Sequence, residues 1–599
     1  MLGGMRGWLL CCWTILAPAW GLSAPTAQAR YEREVSLTLI EREGWSLDLE
    51  PDGKRVRQVH TLRLPVFLAG EGAWLTGLNH LHVTTKPHII SRESRLSPQG
   101  RYTAESALET ERNLRGTGLF TFVQVVAAQP RRQHDAPPVT SSDEVDVLIV
   151  TRELWSLRLE SSFEYLGEGL NSLSLSLTER NLAGQRQQLS LQASLTPFTI
   201  STGLSWMDPR FGPDLSAGVN AGVIWGRESG AREGEYIGLS VARPLYHQDQ
   251  PWALSVAAQG VQRLSRLTRG VEVLRDEPNE AGEAPLPIEW YARSYSLSLG
   301  ATRQWSGHLQ KRLGLTLGGG VTERTLPSTL SEERARVWRR DYLAPDRVQL
   351  GPTVSYRLYQ RRFTALSHVS SYGLSEDLQL GGSVSGSLGV SIWGDLATLP
   401  AVQGQWTARW GGEGARAGFW RLSVSGQLRG QPRDIEPQGG WEWVNRGIGA
   451  QFVGASPQLP TVGGRFVWSG VLGGLWGDIN NSVVSLGGSQ GLRGYPAQAL
   501  FAQSAHQGRV NVEYRSAPWA WRFLHLGGAV FYDAGFVGRT AEDAQAGQAT
   551  GLGLRLLFPQ LNRSVFRLDI ASPIGDLGSP QVSFTSSQAF AVMPWEVIL

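Results

Sequence analysis

Hydrophobic and polar residues alternate one by one along most of this chain, from about residue 155 to near its end. Clear examples are SLSLSL at 172–177, SYSLSL at 294–299, RVNVEY at 509–514 and FRLDI at 566–570. Successive side chains of a β-strand point to opposite faces of the sheet. The pattern therefore predicts many β-strands, each with one apolar face and one polar face.

The composition of the polar face distinguishes a transmembrane β-barrel from a soluble all-β protein. This face consists of serine, glycine, arginine and acidic residues throughout residues 155–590. A soluble sheet of that extent would normally divide into domains joined by linkers. A transmembrane barrel instead turns the apolar face to lipid and the polar face to a wet lumen, with no strand edge left unpaired. The sequence thus predicts a mainly β fold, a transmembrane antiparallel β-barrel, with a soluble all-β protein as the alternative.

Composition adds two points. The 23 tryptophans and 14 tyrosines suit the aromatic girdles at the two membrane interfaces. The net charge of +3 is too small to indicate a nucleic-acid partner.

A strand count gives roughly 16 to 20 segments, and single-chain bacterial barrels have an even number. Long polar connections are predicted at residues 268–288, 326–346, 430–439 and 479–507.

Residues 1–29 have the form of a secretory signal peptide. Arg6 supplies the positive region, residues 8–22 are largely apolar, and Ala-Gln-Ala at 27–29 is a cleavage site. A membrane anchor is the alternative. Both cysteines, Cys11 and Cys12, lie in this segment, so disulfides, thiol catalysis and thiolate metal sites are not expected in the mature chain. No later segment approaches the ~18 apolar residues of a membrane helix.

Residues 45–154 read as a small α+β domain. The predicted elements are a strand at 55–67, a helix at 89–96, a helix from the N-cap Thr103 to about 115, and strands at 119–127 and 145–150 around a polar loop at 129–142. Their order is β-α-α-β-β.

The stretch LGGSQGLRGYP at 486–496 contains two competing motifs. One is G-x-S-x-G around Ser489, the pattern of a hydrolase nucleophile, which needs a strand, a sharp turn and a helix. Gly494 and Pro496 make a following helix unfavourable, so an enzyme is not predicted. The other motif is Arg493, a lone cation in a glycine-rich loop. An arginine folded into the lumen can bind a carboxylate of the wall in a bidentate, charge-assisted contact.

These motifs carry a family resemblance. Residues 89–120 and 145–154 resemble a polypeptide-transport-associated (POTRA) domain, and the barrel resembles the BamA/TamA outer-membrane insertase superfamily. Arg493, Gly494 and Tyr495 match that superfamily's loop-six signature, and FYDAGFV at 531–537, centred on Asp533, resembles its strand-thirteen motif. ERNLAGQRQQLSL at 179–191, DPRF at 208–211 and FRLDIASPIG at 566–575 resemble further barrel segments.

The resemblance implies a barrel of sixteen strands, five of them after the signature loop. It also implies that Arg493 pairs with a lumen carboxylate. Asp533 is the first candidate, since it faces the lumen if Val530 and Tyr532 face lipid, and Glu513 is the second.

The end of the chain predicts the last strand, at residues 581–590. Val582, Phe584 and Phe590 share one face and are expected to face lipid or to carry the assembly signal. Residues 591–599, AVMPWEVIL, are an extension beyond the terminal aromatic. The first barrel strand is expected at residues 155–165, and a weak seam between first and last strands would offer an edge to substrate strands.

The implied function is assembly or insertion of outer-membrane proteins, or translocation of a polypeptide, without a cofactor or metal. The barrel would lie in the bacterial outer membrane, with the small domain in the periplasm. Expected partners are outer-membrane lipid and lipopolysaccharide, unfolded outer-membrane or secreted polypeptides, and periplasmic or lipoprotein partners. A passive porin-like channel and a two-partner secretion pore are the alternatives.

Overall fold

The computed structural model describes residues 27–585 apart from short gaps at 69–70, 131–142, 167–168, 213, 247–249, 270–271, 278–283, 345, 361, 368, 370–371, 373–374, 394–398, 415–417, 433–440, 489–490, 504, 522–523, 562–564 and 576–578. Most of the predicted leader, Ser489, Phe590 and the extension 591–599 lie outside the described residues. No described helix is long and apolar enough to cross a membrane.

The first part of the chain forms a small mixed sheet with helices against it. The strand order is β1-β3-β4-β2, with β2 parallel to β4 and the other neighbours antiparallel. The elements are α1 Ala27–Arg42, β1 Trp45–Leu47, β2 Arg55–Leu64, α2 Ala73–Leu78, a 3-10 turn Asn79–Leu81, α3 Pro87–Ser91, α4 Ala104–Gly116, β3 Phe120–Pro130 and β4 Glu144–Glu153.

Two elements of this domain, β2 and α3, end earlier than predicted, and the local sequence explains each end. β2 ends at Leu64 because the next residue is a proline, which has no N–H for the ladder. α3 ends at Ser91 rather than at residue 96, and the Ser94 hydroxyl accepts a hydrogen bond from the Leu96 backbone in the turn that follows. Thr103 caps α4 as predicted, since its hydroxyl accepts from the Ser106 N–H at 3.1 Å.

The rest of the described chain closes into an antiparallel barrel. Its 22 hydrogen-bonded segments make 20 strands, because β17 and β26 continue β16 and β25. The segments are β5 Leu157–Leu166, β6 Gly169–Leu182, β7 Gln187–Leu195, β8 Thr199–Phe211, β9 Leu215–Gly226, β10 Arg232–Arg243, β11 Trp252–Arg266, β14 Glu289–Trp305, β15 Leu309–Thr325, β16 Arg347–Gln360, β17 Arg362–Ser367, β18 Ser375–Trp393, β19 Leu399–Gly414, β20 Gly418–Pro432, β21 Trp441–Ala455, β22 Arg465–Trp476, β25 His506–Arg515, β26 Trp519–Trp521, β27 Leu524–Gly538, β28 Gln545–Leu557, β29 Phe566–Pro573 and β30 Gln581–Thr585.

The expected sixteen strands are therefore wrong. Five strands follow Arg493, as the resemblance implied, so the additional ones all precede it. The loop that carries Arg493 is accordingly not the sixth on its side of the barrel but a later one. Alternation identifies strand residues, but the number of strands that closes a barrel also depends on tilt and register, which a sequence does not display.

The two faces of the wall are those expected from the alternation. Leu297 and Leu299 are 52% and 46% exposed on the outer surface, and Ser298 between them points into the lumen. The small domain contacts the turn between β6 and β7, where the Lys86 N–H donates to the Gly184 carbonyl. We call this end of the barrel the near end and the opposite end the far end. Because hairpins alternate between ends, Arg493 belongs to a far-end connection.

Three of the predicted long connections contain secondary structure of their own, and the fourth begins while β20 still runs to Pro432. The elements are β12 Thr268–Arg269, β13 Glu272–Val273, α5 Glu332–Asp341, β23 Val483–Leu486 and β24 Leu500–Gln503. Trp338 of α5 is buried against Ile288 and Leu343, and its indole N–H donates to Asp276 at 2.9 Å. The far-end connections of β11 and β15 are therefore packed together.

A hairpin of residues 362–380, which we call the inner hairpin, lies inside the near half of the barrel. It consists of β17 and the start of β18. Val369 and Leu378 pack against Phe419 and Val467, which lie on the lumen faces of β20 and β22. At the base of the hairpin, the Arg112 guanidinium of α4 lies 4.8 Å from the Phe363 ring centroid. The small domain and the inner hairpin thus meet at the near mouth.

Candidate functional site

The Arg493 loop folds from the far end into the lumen and is held there by glycines. Gly491 and Gly494 have φ values of +129° and +91°, in a region that side chains rarely adopt. A Cβ on Gly494 would lie 3.1 Å from the Ala549 Cβ and 3.2 Å from the Ser572 backbone, so the loop approaches the wall closely. The glycine of the signature is thus required both by its backbone angle and by lack of space.

Arg493 is buried and binds Asp533 through three hydrogen bonds. Its Nε donates to Oδ2 at 2.7 Å, its Nη2 donates to Oδ1 at 2.9 Å, and its backbone N–H donates to Oδ2 at 3.1 Å. Asp533 has no measurable exposure and lies on the lumen face of β27, while Val530 and Tyr532 lie on the outer surface. A bidentate guanidinium–carboxylate pair is directional as well as charged.

Two further carboxylates share the same guanidinium. Arg493 Nη1 donates to Glu513 Oε2 at 2.8 Å and to Asp569 Oδ2 at 3.1 Å. The Phe531 ring covers the group, with its centroid 3.3 Å from the guanidinium carbon. The structure therefore brings Arg493 to both carboxylates predicted from the sequence, Asp533 and Glu513, and adds a third, Asp569, which was not predicted as a partner.

More arginines surround these carboxylates. Arg515 Nε donates to Glu513 at 2.9 Å, and Arg555 donates to Asp569 at 2.5 Å and to Glu513 at 3.1 Å. Arg567 Nε lies 3.4 Å from Asp569. We call these seven residues, Arg493, Glu513, Arg515, Asp533, Arg555, Arg567 and Asp569, the lumen cluster. Buried charges need such mutual pairing because the desolvation cost of an unpaired charge is several kcal/mol.

The lumen cluster joins four consecutive strands to loops from both ends. Glu513, Asp533, Arg555 and Asp569 lie on β25, β27, β28 and β29. Beyond the strands, Arg515 donates to the Val369 carbonyl of the inner hairpin. The hairpin is held again nearby, where His525 Nδ1 lies 2.7 Å from the Tyr372 carbonyl oxygen. One ionic network therefore links the far-end loop, the wall and the near-end hairpin.

Tyr495 packs beside the cluster. Its ring lies against Leu492 in an apolar group with Leu486 and Val537, and its hydroxyl accepts from the Gln548 N–H at 3.3 Å. Each signature residue thus has a different role. Arg493 forms the ion pairs, and Gly494 allows the loop backbone to lie close to the barrel wall. Tyr495 holds the loop against the wall through packing and one hydrogen bond.

Ser489 of the G-x-S-x-G motif lies outside the described residues. The chain resumes at Gly491, and the residues from there to Ala499 form turns and bends, not a helix. Among the described residues, the motif therefore has no strand–turn–helix context of a nucleophile elbow.

The barrel closes by antiparallel pairing of β30 with β5, which we call the seam. The described register is Tyr165 with Val582, Glu164 with Ser583 and Phe163 with Phe584. The Phe584 ring stacks on Phe163 at 5.5 Å and on Phe566 at 6.0 Å between centroids, while Ser583 is buried on the opposite face. Val582 and Phe584 thus share the outer face, and Phe590 is outside the described residues.

Ion pairs also join the small domain to the barrel. The Glu93 carboxylate lies 2.8 Å from Nη1 of Arg186, in the near-end turn after β6, and 2.9 Å from Nη1 of Arg210, at the near end of β8. Burial, reinforced by repulsion from Arg210, lowers the pKa of Arg92. None of these residues was predicted as a site residue, although Arg186 and Arg210 lie in the motifs ERNLAGQR and DPRF.

The partners that were missed carry a signal in the sequence. Asn511 donates to Asp533 Oδ1 at 2.9 Å and lies two residues before Glu513 on the same strand face. Arg567 and Asp569 occupy alternate polar positions of FRLDI. Alternation therefore put these side chains in the lumen, but it did not show that they meet Arg493.

Comparisons with known proteins found similarity in structure alone. No family model matches the chain, and no curated protein matches it. Among solved structures, BamA from Haemophilus ducreyi lacking POTRA domains 1–3 is similar, with 14% identity, a TM-score of 0.36 and coverage of 95% of each chain. CdiB from Acinetobacter baumannii has 11% identity, a TM-score of 0.34 and coverage of 94% and 98%. CdiB from Escherichia coli has 11% identity, a TM-score of 0.42 and coverage of 94% and 85%.

The fold itself defines the class: a closed antiparallel β-barrel with an apolar outer surface and a small α+β domain at one mouth.

Proposed function

We propose that this protein is an outer-membrane barrel that assembles or inserts other outer-membrane proteins, or moves a polypeptide, through a lateral opening at the seam. The small domain acts as a periplasmic POTRA-like module that receives unfolded chains and any periplasmic or lipoprotein partners. The barrel meets lipid and lipopolysaccharide on its outer surface. No cofactor or enzymatic step is required for this role.

The outer surface supports the membrane location. It presents leucine, valine and aromatic side chains on strand after strand, such as Leu315 at 54% and Leu552 at 64% exposure. A soluble protein rarely exposes a continuous apolar band of this kind. A barrel in lipid requires one, with aromatic residues toward both of its edges.

The position of the lumen cluster beside the seam carries the functional proposal. The cluster braces β25, β27, β28 and β29, and the next strand, β30, is the one that closes the barrel. Opening the barrel between β30 and β5 therefore leaves every ion pair of the cluster intact. The braced wall is the fixed side of the opening, and the seam is the side that moves.

An open seam would expose strand edges with unpaired N–H and C=O groups. A substrate strand can add to such an edge through main-chain hydrogen bonds, which is β-augmentation. Each added strand would then be passed from the edge of β5 or β30 into lipid. This mechanism needs no energy source at the barrel, because pairing and burial of the substrate strands supply the driving force.

A disulfide across the seam tests the proposal. Glu164 and Ser583 are register partners, and the variant Glu164→Cys/Ser583→Cys, with Cys11 and Cys12 replaced by serine, should lose activity when oxidised and regain it on reduction. The matched control is Ser162→Cys/Ser174→Cys, a pair of register partners across the neighbouring β5–β6 ladder, which stays closed when the seam opens; this variant should stay active in both states. If locking the seam leaves substrate assembly unchanged, lateral opening is wrong and a passive channel becomes the better account.

A further inference from the structure

The lumen wall formed by β15, β16, β18, β19 and β20 carries arginines that are not part of the lumen cluster. Leu313, Leu315 and Leu317 of β15 face outward, so Arg312 faces the lumen, and the same alternation places Arg357 there on β16. Arg409 of β19 and Arg421 of β20 occupy lumen positions next to outward-facing tryptophans, Trp410 and Trp420. The described wall is thus basic along its middle, and the carboxylate Glu413 lies toward its near end.

Two of these arginines are direct register partners. Arg312 lies opposite Arg357 across the β15–β16 ladder, and both guanidiniums approach the same Tyr359 ring, at 5.3 Å and 5.2 Å from its centroid. Arg312 Nε also donates to Gln304 at 2.8 Å. Like charges directly opposite each other destabilise a sheet. The Arg312–Arg357 pair therefore lowers the stability of the sheet and faces the lumen. This pairing indicates that the two guanidinium groups bind a negatively charged ligand.

The surroundings of these arginines suit an anion. A cavity of about 620 Å³ is bounded by Arg312, Arg357 and a set of hydroxyl and amide side chains, namely Ser355, Ser385, Ser387, Gln405, Thr407, Ser425 and Gln427. Guanidinium groups bind carboxylate and phosphate through charge-assisted hydrogen bonds, and hydroxyl and amide donors add to them. A concave basic wall also raises the local concentration of anions.

The opposite wall differs in character. A smaller cavity there is bounded by Ser162, Ser174, Ser176, Gln192, Ser194 and Ser201, with Glu160 as its charged residue. The lumen therefore has an arginine side and a serine side, which provides an internal control within one molecule.

We propose that the arginine wall of β15–β20 is an anion-binding surface of the lumen, centred on Arg312 and Arg357, that takes carboxylate or phosphate groups. The surface lies away from both the seam and the lumen cluster. A test of anion binding at this surface therefore gives a result that does not depend on whether the proposed insertase function is correct.

Charged thiol reagents test this surface whether or not the lumen conducts ions. Ser385 is the register partner of Arg357, so Ser385→Cys, in full-length protein with Cys11 and Cys12 replaced by serine, places a thiol beside the arginines. We expect an anionic methanethiosulfonate to react faster than a cationic one, by about tenfold after correction for reactivity with a free thiol. Ser174→Cys on the serine wall should show no such preference for the anion.

Arg312→Gln/Arg357→Gln should remove most of the preference at Ser385→Cys, whereas Arg227→Gln, at the exposed far-end rim, should not change it. Heat-modifiable migration verifies that each variant is folded. Inorganic phosphate and a short poly-glutamate, added separately as competitors, distinguish small anions from acidic polypeptide as the bound species. An equal rate for both reagents, a preference that survives the double arginine variant, or no reaction at Ser385→Cys would each overturn the proposal.

Discussion

The Arg493 guanidinium binds both oxygens of the Asp533 carboxylate, with Nε 2.7 Å from Oδ2 and Nη2 2.9 Å from Oδ1. The two residues are separated by 40 positions in the chain and join a far-end loop to the lumen face of β27. Because the same guanidinium also reaches Glu513 and Asp569, the loop is attached to three strands at once.

Replacing either member of this pair should impair folding or activity. Breaking a buried ion pair by removing one partner costs about 3–5 kcal/mol, because the other charge is left uncompensated. Arg493→Ala should be the more severe change, since it removes the guanidinium that three carboxylates share and leaves them to the three remaining arginines of the lumen cluster. Asp533→Ala, in contrast, leaves Arg493 with Glu513 and Asp569. Thermal unfolding followed by heat-modifiable migration gives the size of each effect.

The double variant shows whether Arg493 and Asp533 act through one shared contact or independently of each other. Arg493→Ala/Asp533→Ala should be little worse than Arg493→Ala alone, and Ser489→Ala should have almost no effect. If Ser489→Ala abolished function while Arg493→Ala left it intact, the hydrolase motif would be the functional one and the pairing incidental.

Gly494 provides a second test of the loop's position. Gly494→Ala adds a methyl group at φ +91°, 3.1 Å from the Ala549 Cβ, so it should move the loop and destabilise the protein by about 1–3 kcal/mol. Gly318→Ala is the matched control, because Gly318 lies on the lumen face of β15 with nothing within 4 Å of its added Cβ. Equal behaviour of the two variants would mean that the loop does not contact the wall at Gly494.

The inner hairpin should contribute to stability through Tyr372. This side chain is 2% exposed and packs against Leu557 and Val565, so Tyr372→Ala should cost about 3–5 kcal/mol, as for other large buried aromatics. Tyr356→Ala, on the outer face of β16 at 44% exposure, is the control. Limited proteolysis should then cut within the inner hairpin in the first variant only, and equal protection of both variants would contradict a contribution of Tyr372 to the hairpin's stability.

The C-terminal residues make a further prediction. Deleting residues 591–599 should be tolerated better than truncation through Phe590, because Phe590 shares a strand face with Val582 and Phe584 in the predicted last strand. The readout is the fraction of protein that reaches the heat-modifiable form in the outer membrane. Equally poor assembly of both truncations would show that the boundary of the last strand is wrong.

Individual residues show which features of the fold and of the lumen cluster could be predicted from the sequence. The alternation put Val530 and Tyr532 on one face of their strand and Asp533 on the other, because a strand side chain has only two directions. It did not fix which of these faces is the lumen face. The alternation also put Asp569 on the polar face of its strand, but contact between Asp569 and Arg493 depends on the path of a loop, which no periodicity encodes. The inner hairpin was not predicted, because the residues around Val369 and Tyr372 have no regular pattern.

The most direct test of the account is depletion of this protein followed by quantitative proteomics of the outer membrane. We predict that other β-barrel proteins, or one class of exported polypeptides, will decline, and that wild-type protein and the reduced form of Glu164→Cys/Ser583→Cys will restore them while the oxidised form will not. An unchanged outer-membrane proteome, with only the uptake of small solutes reduced, would contradict the account and identify the barrel as a passive channel.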